Sequence, residues 1–219
     1  MEPQSAHAVL TGDIIESSKL GKSHRKILPQ ILEEIFASAD ELSQKKSGPG
    51  FQIFRGDSFQ GIFSIPEVSL DAALLIRAML RTRTEREFGK TMDCRVAVGI
   101  GEIDFMPGSG GEGDGEAFRL SGLHLDRFKK DRSLGIVTGQ PGINNELEAE
   151  CLLAEVIISK WTANQAEVIP MLISGKTQLE IASELNIAQS SVSYRVRDAG
   201  WRGIDGFRKR YREIINLNF

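Results

Sequence analysis

Cysteine and histidine are scarce in this 219-residue chain, which holds two of the first and three of the second. Cys94 and Cys151 lie far apart and share no close spacing with His7, His24 or His124. That excludes a disulfide framework and a zinc-ligand pattern, and leaves two buried structural thiols as the reading. No run approaches the roughly 18 apolar residues that a membrane-spanning helix needs. The opening Met1-Glu2-Pro3-Gln4 lacks the charged, then apolar, pattern of a signal peptide. The expected setting is the cytoplasm, with no membrane partner.

What is present is ordinary for a globular protein: 41% hydrophobic and 26% charged residues. The length allows one large domain or two modest ones, and two are expected. The net charge of -3 hides an asymmetry. Between Arg195 and Glu213 seven Lys or Arg stand against three Asp or Glu, an excess of +4 that leaves -7 elsewhere. A basic end on an acidic body fits a polyanion-binding tail, and a solvated helix face gives the same count.

Hydrophobic period sets the order of elements. His7 to Ile15 reads as a strand. Ile27, Leu28, Ile31, Leu32, Ile35, Phe36, Ala39 and Leu42 form a helical stripe that ends at Ser47-Gly48-Pro49-Gly50. "FQIFRGD" and "SFQGIFS" read as a hairpin with Asp57 at its tip. A helix from about Glu67 to Phe88 leads into the strand "CRVAVGIGEI", then "MPGSGGEGDG", too rich in glycine for regular structure. A helix near Glu116, a strand at Leu134 and a helix from about Asn144 to Lys160 follow. The order β-α-β-β-α-β-α-β-α predicts an α+β fold, a ferredoxin-like mixed sheet with packed helices. The last sixty residues show helical patterns alone and read as a separate all-α domain.

Asp13 ends the first strand and Asp57 sits in the hairpin expected to pair with it. Two such carboxylates need a cation between them, and hard oxygen ligands suit Mg²⁺ with nucleotide phosphates completing its shell. Ser17 and Ser18, at the following helix start, are candidate phosphate neighbours. Both acids also occur at strand ends and turns for purely local hydrogen bonding.

The succession "GDIIESS", "FRGDSFQ", "RVAVGIGEI" and "GEAFRLSGLHLDRF" resembles the catalytic core of class III nucleotide cyclases over about residues 8–138, and is closer still to the SatD family. The resemblance implies a cyclase-like mixed sheet. It lays Asp13 and Asp57 on the two metal-binding aspartates, with the Ile14 backbone at the metal and Ile15 on the phosphate-contacting segment. Active cyclases carry Gly-x-x-Val-Asn-x-Ala-x-Arg on the later helix. Here Arg119 stands at the Asn position and Leu123 at the Arg position, while the purine-selecting lysine falls on Ile53. Losing a charged transition-state donor costs on the order of 10²–10³ in rate, so cyclase turnover is not expected. Arg119 remains a candidate phosphate contact, or a surface arginine paired with Glu116 or Asp126.

"TQLEIASELNIAQSSVSYRVRDAG", Thr177 to Gly200, has the arrangement of a helix-turn-helix and resembles the domains of LuxR-type regulators and sigma factors. Ala182 is small where two helices cross, Leu185 and Ile187 flank a turn at Asn186, and Val192 and Val196 face the core. A helical dimerisation module would use the same packing. Gln189, Ser190, Ser193, Tyr194 and Arg197 fall outward and suit base edges. Arg202, Arg208, Lys209, Arg210 and Arg212 suit phosphates.

The expected organisation is a nucleotide-binding sensor over residues 1–142, a connecting helix over 143–160 and a DNA-binding domain over 161–219. The expected function is a homodimeric transcriptional regulator of double-stranded DNA, responsive to a nucleotide or cyclic nucleotide. The alternatives are a divergent Mg²⁺-dependent cyclase, synthase or phosphotransfer enzyme tethered to nucleic acid, and an interaction protein that binds nothing small.

Overall fold

In the computed structural model, which describes residues 6–42, 50–54, 57–106 and 113–219, the first apolar run is the strand β1, His7–Ile14, third of five in one sheet. The other strands are β2, Gln52–Phe54, β3, Ser58–Phe63, β4, Cys94–Gly101, and β5, Leu134–Thr138. Their spatial order is β2-β3-β1-β4-β5. The first four pair antiparallel, which is the ferredoxin-like arrangement, and β5 adds parallel to β4. The parallel addition requires a crossover, and the helix α3, Glu116–Asp126, supplies it. The strand and helix order read from the sequence holds throughout this part.

Alternation along β1 sorts the two faces of the sheet. Ala8, Leu10 and Ile14 join the main core with α1, Lys22–Asp40, α2, Ser69–Phe88, and α4, Pro141–Ile158. Val9 faces the other way, onto a small cluster with Ile103, Ala117 and Phe118 beneath α3. α3 lies close: a Cβ at Gly99 would stand 2.3 Å from the Ala117 carbonyl oxygen. α2 starts two residues later than the sequence predicts, after a 3-10 turn at Pro66–Val68. α4 starts three residues early because Pro141, lacking an N–H, suits its first turn. The hairpin turn at residues 55–56 and most of the expected glycine-rich loop, residues 107–112, lie outside the described residues.

The remaining chain is helical: α5, Ala163–Glu167, α6, Ile169–Ile173, α7, Gln178–Leu185, α8, Gln189–Asp198, and α9, Trp201–Asn218. α7 and α8 bury Ile181, Ala182 and Val192 with Val168 in a cluster of their own. α9 behaves differently. Ile204, Phe207, Tyr211, Ile214 and Ile215 belong to the main core, as do Trp161, Ala166 and Ile169. The Trp161 indole N–H donates to the Ala199 carbonyl at 2.8 Å, and Arg81 of α2 donates to the Trp161 carbonyl at 2.8 Å. The helical end thus shares the core of the sheet-bearing body. Among the described residues, no helix is long and apolar enough to cross a membrane.

Candidate functional site

Asp13 sits on the same face of β1 as Val9 and Thr11, the face that α3 covers only in part. Its direct cross-strand neighbours are Ser58 on β3 and Arg95 on β4. Arg95 meets it with both arms of its guanidinium: Nε donates to Oδ1 at 2.8 Å and Nη2 donates to Oδ2. These bonds hold the Arg95 pKa above its usual value despite partial burial. Asp57 follows the hairpin turn, and its carbonyl accepts from the Ile14 amide at 3.0 Å. Its carboxylate accepts from the Ser17 hydroxyl at 2.6 Å. The fold therefore brings Asp13, Asp57 and Ser17 to one corner.

Other expectations at this corner need correction. The Ile14 and Ile15 amides donate to the carbonyls of Asp57 and Asp93, so neither is free to receive a phosphate oxygen. Ser18 is exposed, and its carbonyl accepts from Arg25 at 2.8 Å. The cation beside Asp13 is Arg95, which the sequence reading passed over. As arranged, the pair does not fit a resident Mg²⁺ ion, because both Asp13 oxygens already accept from a guanidinium. No group of three or more His, Cys, Asp or Glu among the described residues is placed to hold a metal. The signal for Arg95 was its position, a lone charge opening an otherwise apolar strand.

Next to this corner the partly covered sheet face carries a polar chain. Gln60 on β3 donates to the Thr11 hydroxyl at 3.1 Å, and Thr11 and Ser121 of α3 share a hydrogen bond of 2.9 Å. Beside it opens a cavity of about 370 Å³ lined by Phe54, Gln60, Gly113, Asp114, Phe118 and Arg119. Arg119 is exposed there and donates to Asp114 at 2.9 Å, with Asp104 at 3.6 Å, and not to Glu116 or Asp126. Leu123 is also exposed, one turn further along α3. Ile53 pairs across from Phe59 and packs on the opposite, helix-covered core. A strand reverses its face at each residue, so Phe54 and not Ile53 meets the cavity.

In the helical end of the chain, α7 has a capped start and a tight junction with α8. Thr177 accepts from the Glu180 amide while the Glu180 carboxylate accepts from the Thr177 amide at 2.7 Å, a capping box. Asn186 takes the left-handed conformation at φ 51°, which Asn tolerates, and turns the chain into α8. Gln189, Ser190, Ser193 and Arg197 are exposed, as is Tyr194 at 59%, with the Arg197 guanidinium 4.8 Å from its ring centre. Gln189 donates to Gln178 at 3.0 Å, and Arg197 donates to Asp198.

The basic tail is spent differently from expectation. Arg208 is buried, its Nε 2.5 Å and Nη2 2.9 Å from the Asp71 carboxylate oxygens, with its guanidinium 5.0 Å from the Trp201 ring centre. Arg212 also donates to Asp71. Arg210 donates to Glu146 at 2.8 Å and to Glu213 at 3.3 Å, and the exposed Lys209 pairs with Asp205. Arg208 is thus removed from any phosphate interface. Arg202 lines a groove between α4 and α9.

These elements define the class: an α+β protein with a five-stranded mixed sheet on a ferredoxin-like core, continued by helices that share that core. No protein-family model matches the chain, and no curated protein matches it. Solved structures similar to it include a bacterial light-regulated adenylyl cyclase, 13% identical with a TM-score of 0.44, over 62% of this chain and 44% of that one. The guanylyl cyclase Cya2 is 13% identical with a TM-score of 0.43, over 60% of this chain and 74% of that one. An adenylate/guanylate cyclase/hydrolase from Silicibacter pomeroyi is 18% identical with a TM-score of 0.39, over 57% and 70%. The chain spans less than half the length of the first of these.

Proposed function

We propose that this protein is a nucleotide-responsive regulator that binds double-stranded DNA. The observation that carries the reading is the α7–α8 pair: a capped first helix, a left-handed Asn186 at the turn, small Ala182 in the crossing, and a second helix with a polar outer face. This suits a helix-turn-helix, whose second helix lies in the major groove. Gln189 has the groups to read adenine and Arg197 those to read guanine, with Ser190, Ser193 and Tyr194 as neighbours. The nucleotide or cyclic nucleotide is proposed to lie on the open sheet face. Phe54 and Phe118 offer apolar surface to a base, Gln60 an amide, and Arg119 a cation for phosphate once it leaves Asp114.

A ligand shifts an equilibrium only through different affinities for two states. Because α9 fastens the reading helix to the body of its own chain, the states that differ are two arrangements of a pair of copies. The test is a mobility-shift assay on the DNA upstream of the protein's own coding region, with and without nucleotides. Arg197→Ala and Tyr194→Ala are expected to abolish the sequence-specific complex. Absence of any sequence-specific complex overturns the DNA reading, and a new product from a nucleoside triphosphate that disappears in Asp13→Asn converts the protein to an enzyme. No thermal shift with any nucleotide removes the sensory half.

A further inference from the structure

The groove between α4 and α9 is apolar, with a cavity volume of about 560 Å³, and is lined along α4 by Glu150, Leu153, Val156 and Ile157. Its α9 wall carries Arg202, Gly203, Gly206 and Phe207. On the α4 rim Leu153 is 71% exposed, Val156 56% and Leu152 45%. Gly206 sits in the helix with nothing within 4 Å of where its Cβ would be, so this chain's own packing does not require a glycine there. A glycine inside a helix costs about 1 kcal/mol against alanine. It does, however, leave the groove shallow enough for another backbone to come near.

Two charged side chains line the groove. One carboxylate oxygen of Glu150 is shut off from water and accepts no hydrogen bond. Burial and the neighbouring Glu146 push its pKa up, with Arg210 acting the other way. The Arg202 side chain is exposed and makes no hydrogen bond or ion pair among the described residues. A groove with an acid on one wall and an exposed base on the other is complementary to itself under a twofold rotation. In a closed pair of identical chains, residue i meets j while j meets i.

We infer that the α4–α9 groove is the contact surface for a second copy of this chain, with Leu153 and Val156 of each copy seated in the other's groove and Glu150 of each copy paired with Arg202 of the other. α4, at 18 residues, is about 27 Å long, enough for a continuous ridge. The contact lies on the helices that fasten the helical end to the body, so it would fix the separation of the two α8 helices. It does not depend on DNA or nucleotide binding and is measured without either.

The test is sedimentation velocity of the full chain over a concentration series. The wild type is expected to form a dimer, and Leu153→Arg to remain monomeric. Glu150→Arg alone and Arg202→Glu alone place like charges across the twofold and are each expected to weaken association by about tenfold or more. Mixed in equal amounts, these two variants restore opposite charges at both crossings and are expected to form a heterodimer of wild-type strength. Circular dichroism melts of each variant exclude unfolding as the cause, and recovery on mixing excludes it independently. A monomeric wild type, a dimer indifferent to Leu153→Arg, or two weakened variants that do not recover when mixed would each overturn the proposal. Monomer stabilised by an apolar small molecule would instead make the groove a ligand site and overturn it too.

Discussion

Arg208, near the middle of the last helix, closes on Asp71, in the first turn of α2, through two hydrogen bonds of 2.5 and 2.9 Å with both side chains buried. The contact spans 137 residues of sequence. Around it the Tyr211 hydroxyl bonds with Ser69 at 2.7 Å and donates to the Pro66 carbonyl at 3.0 Å. One end of the chain is thereby locked to the helix that underlies the sheet.

Removing one member of a buried pair strands the other charge, which typically costs 3–5 kcal/mol, about the scale of a domain's whole stability. Asp71→Ala is therefore expected to lower stability by roughly that amount in urea denaturation. Because the core is shared, tryptophan fluorescence from Trp161 and Trp201 and far-ultraviolet circular dichroism should lose signal in one transition. Two resolved transitions would contradict the shared core.

A second buried cluster governs acid stability. Asp93 accepts from Arg77 at 2.6 and 3.0 Å and from Arg81 at 2.7 Å. Burial works to raise its pKa, but Arg77 and Arg81 outweigh it and leave the value lowered. A folded pKa below the unfolded one, about 3.9, means the stabilisation is fully present above that pH and is lost as pH falls through the folded value. Thermal melts from pH 6 to pH 2 should show this acid limb in the wild type. Asp93→Asn should melt lower at pH 6 and lose less on acidification, and parallel curves would refute the assignment.

Arg95 sets the metal response of the open face. With Arg95 in place, Mg²⁺ is expected to leave the melting temperature unchanged. Arg95→Gln leaves Asp13 and Asp57 without that guanidinium, so Mg²⁺ should then stabilise the variant in a differential scanning measurement. Equal stabilisation of wild type and variant would show that Arg95 does not stand in for the cation.

The tail's internal pairing limits salt dependence. If Lys209 alone supplies the phosphate contact of one copy, log K should fall with log salt at a slope of roughly -1 per copy. Were all seven cations between 195 and 213 to reach phosphates, the slope would be roughly -6. Binding measured across a salt series separates these cases.

Much of this was legible in the sequence. The β-α-β-β-α-β order follows from hydrophobic period, and the place of Asp13 beside the hairpin strand follows from the strand order that it implies. The errors have physical causes. Arg208 was counted as a surface charge because its neighbours are basic, yet it lies on the stripe Ile204, Phe207, Tyr211 and Ile215, four residues after Ile204 and three before Tyr211. The helical period was therefore enough to bury it. The family's purine-selecting position falls on Ile53, whereas the alternation of a strand puts its neighbour Phe54 at the cavity. Arg95 required register, since only strand pairing shows what stands opposite Asp13.

α2 is enclosed on nearly every side, with Leu70, Leu74, Ile76, Leu80 and even Arg77 fully buried. It touches the sheet, α1, the short helices α5 and α6, and α9. Its amide hydrogens should be among the slowest in the molecule to exchange with deuterated water, opening only when the whole chain does. The edge strand β2 and the surface of α8 should label within the earliest times, so the parts proposed to meet ligand and DNA are those that breathe around an unyielding axis.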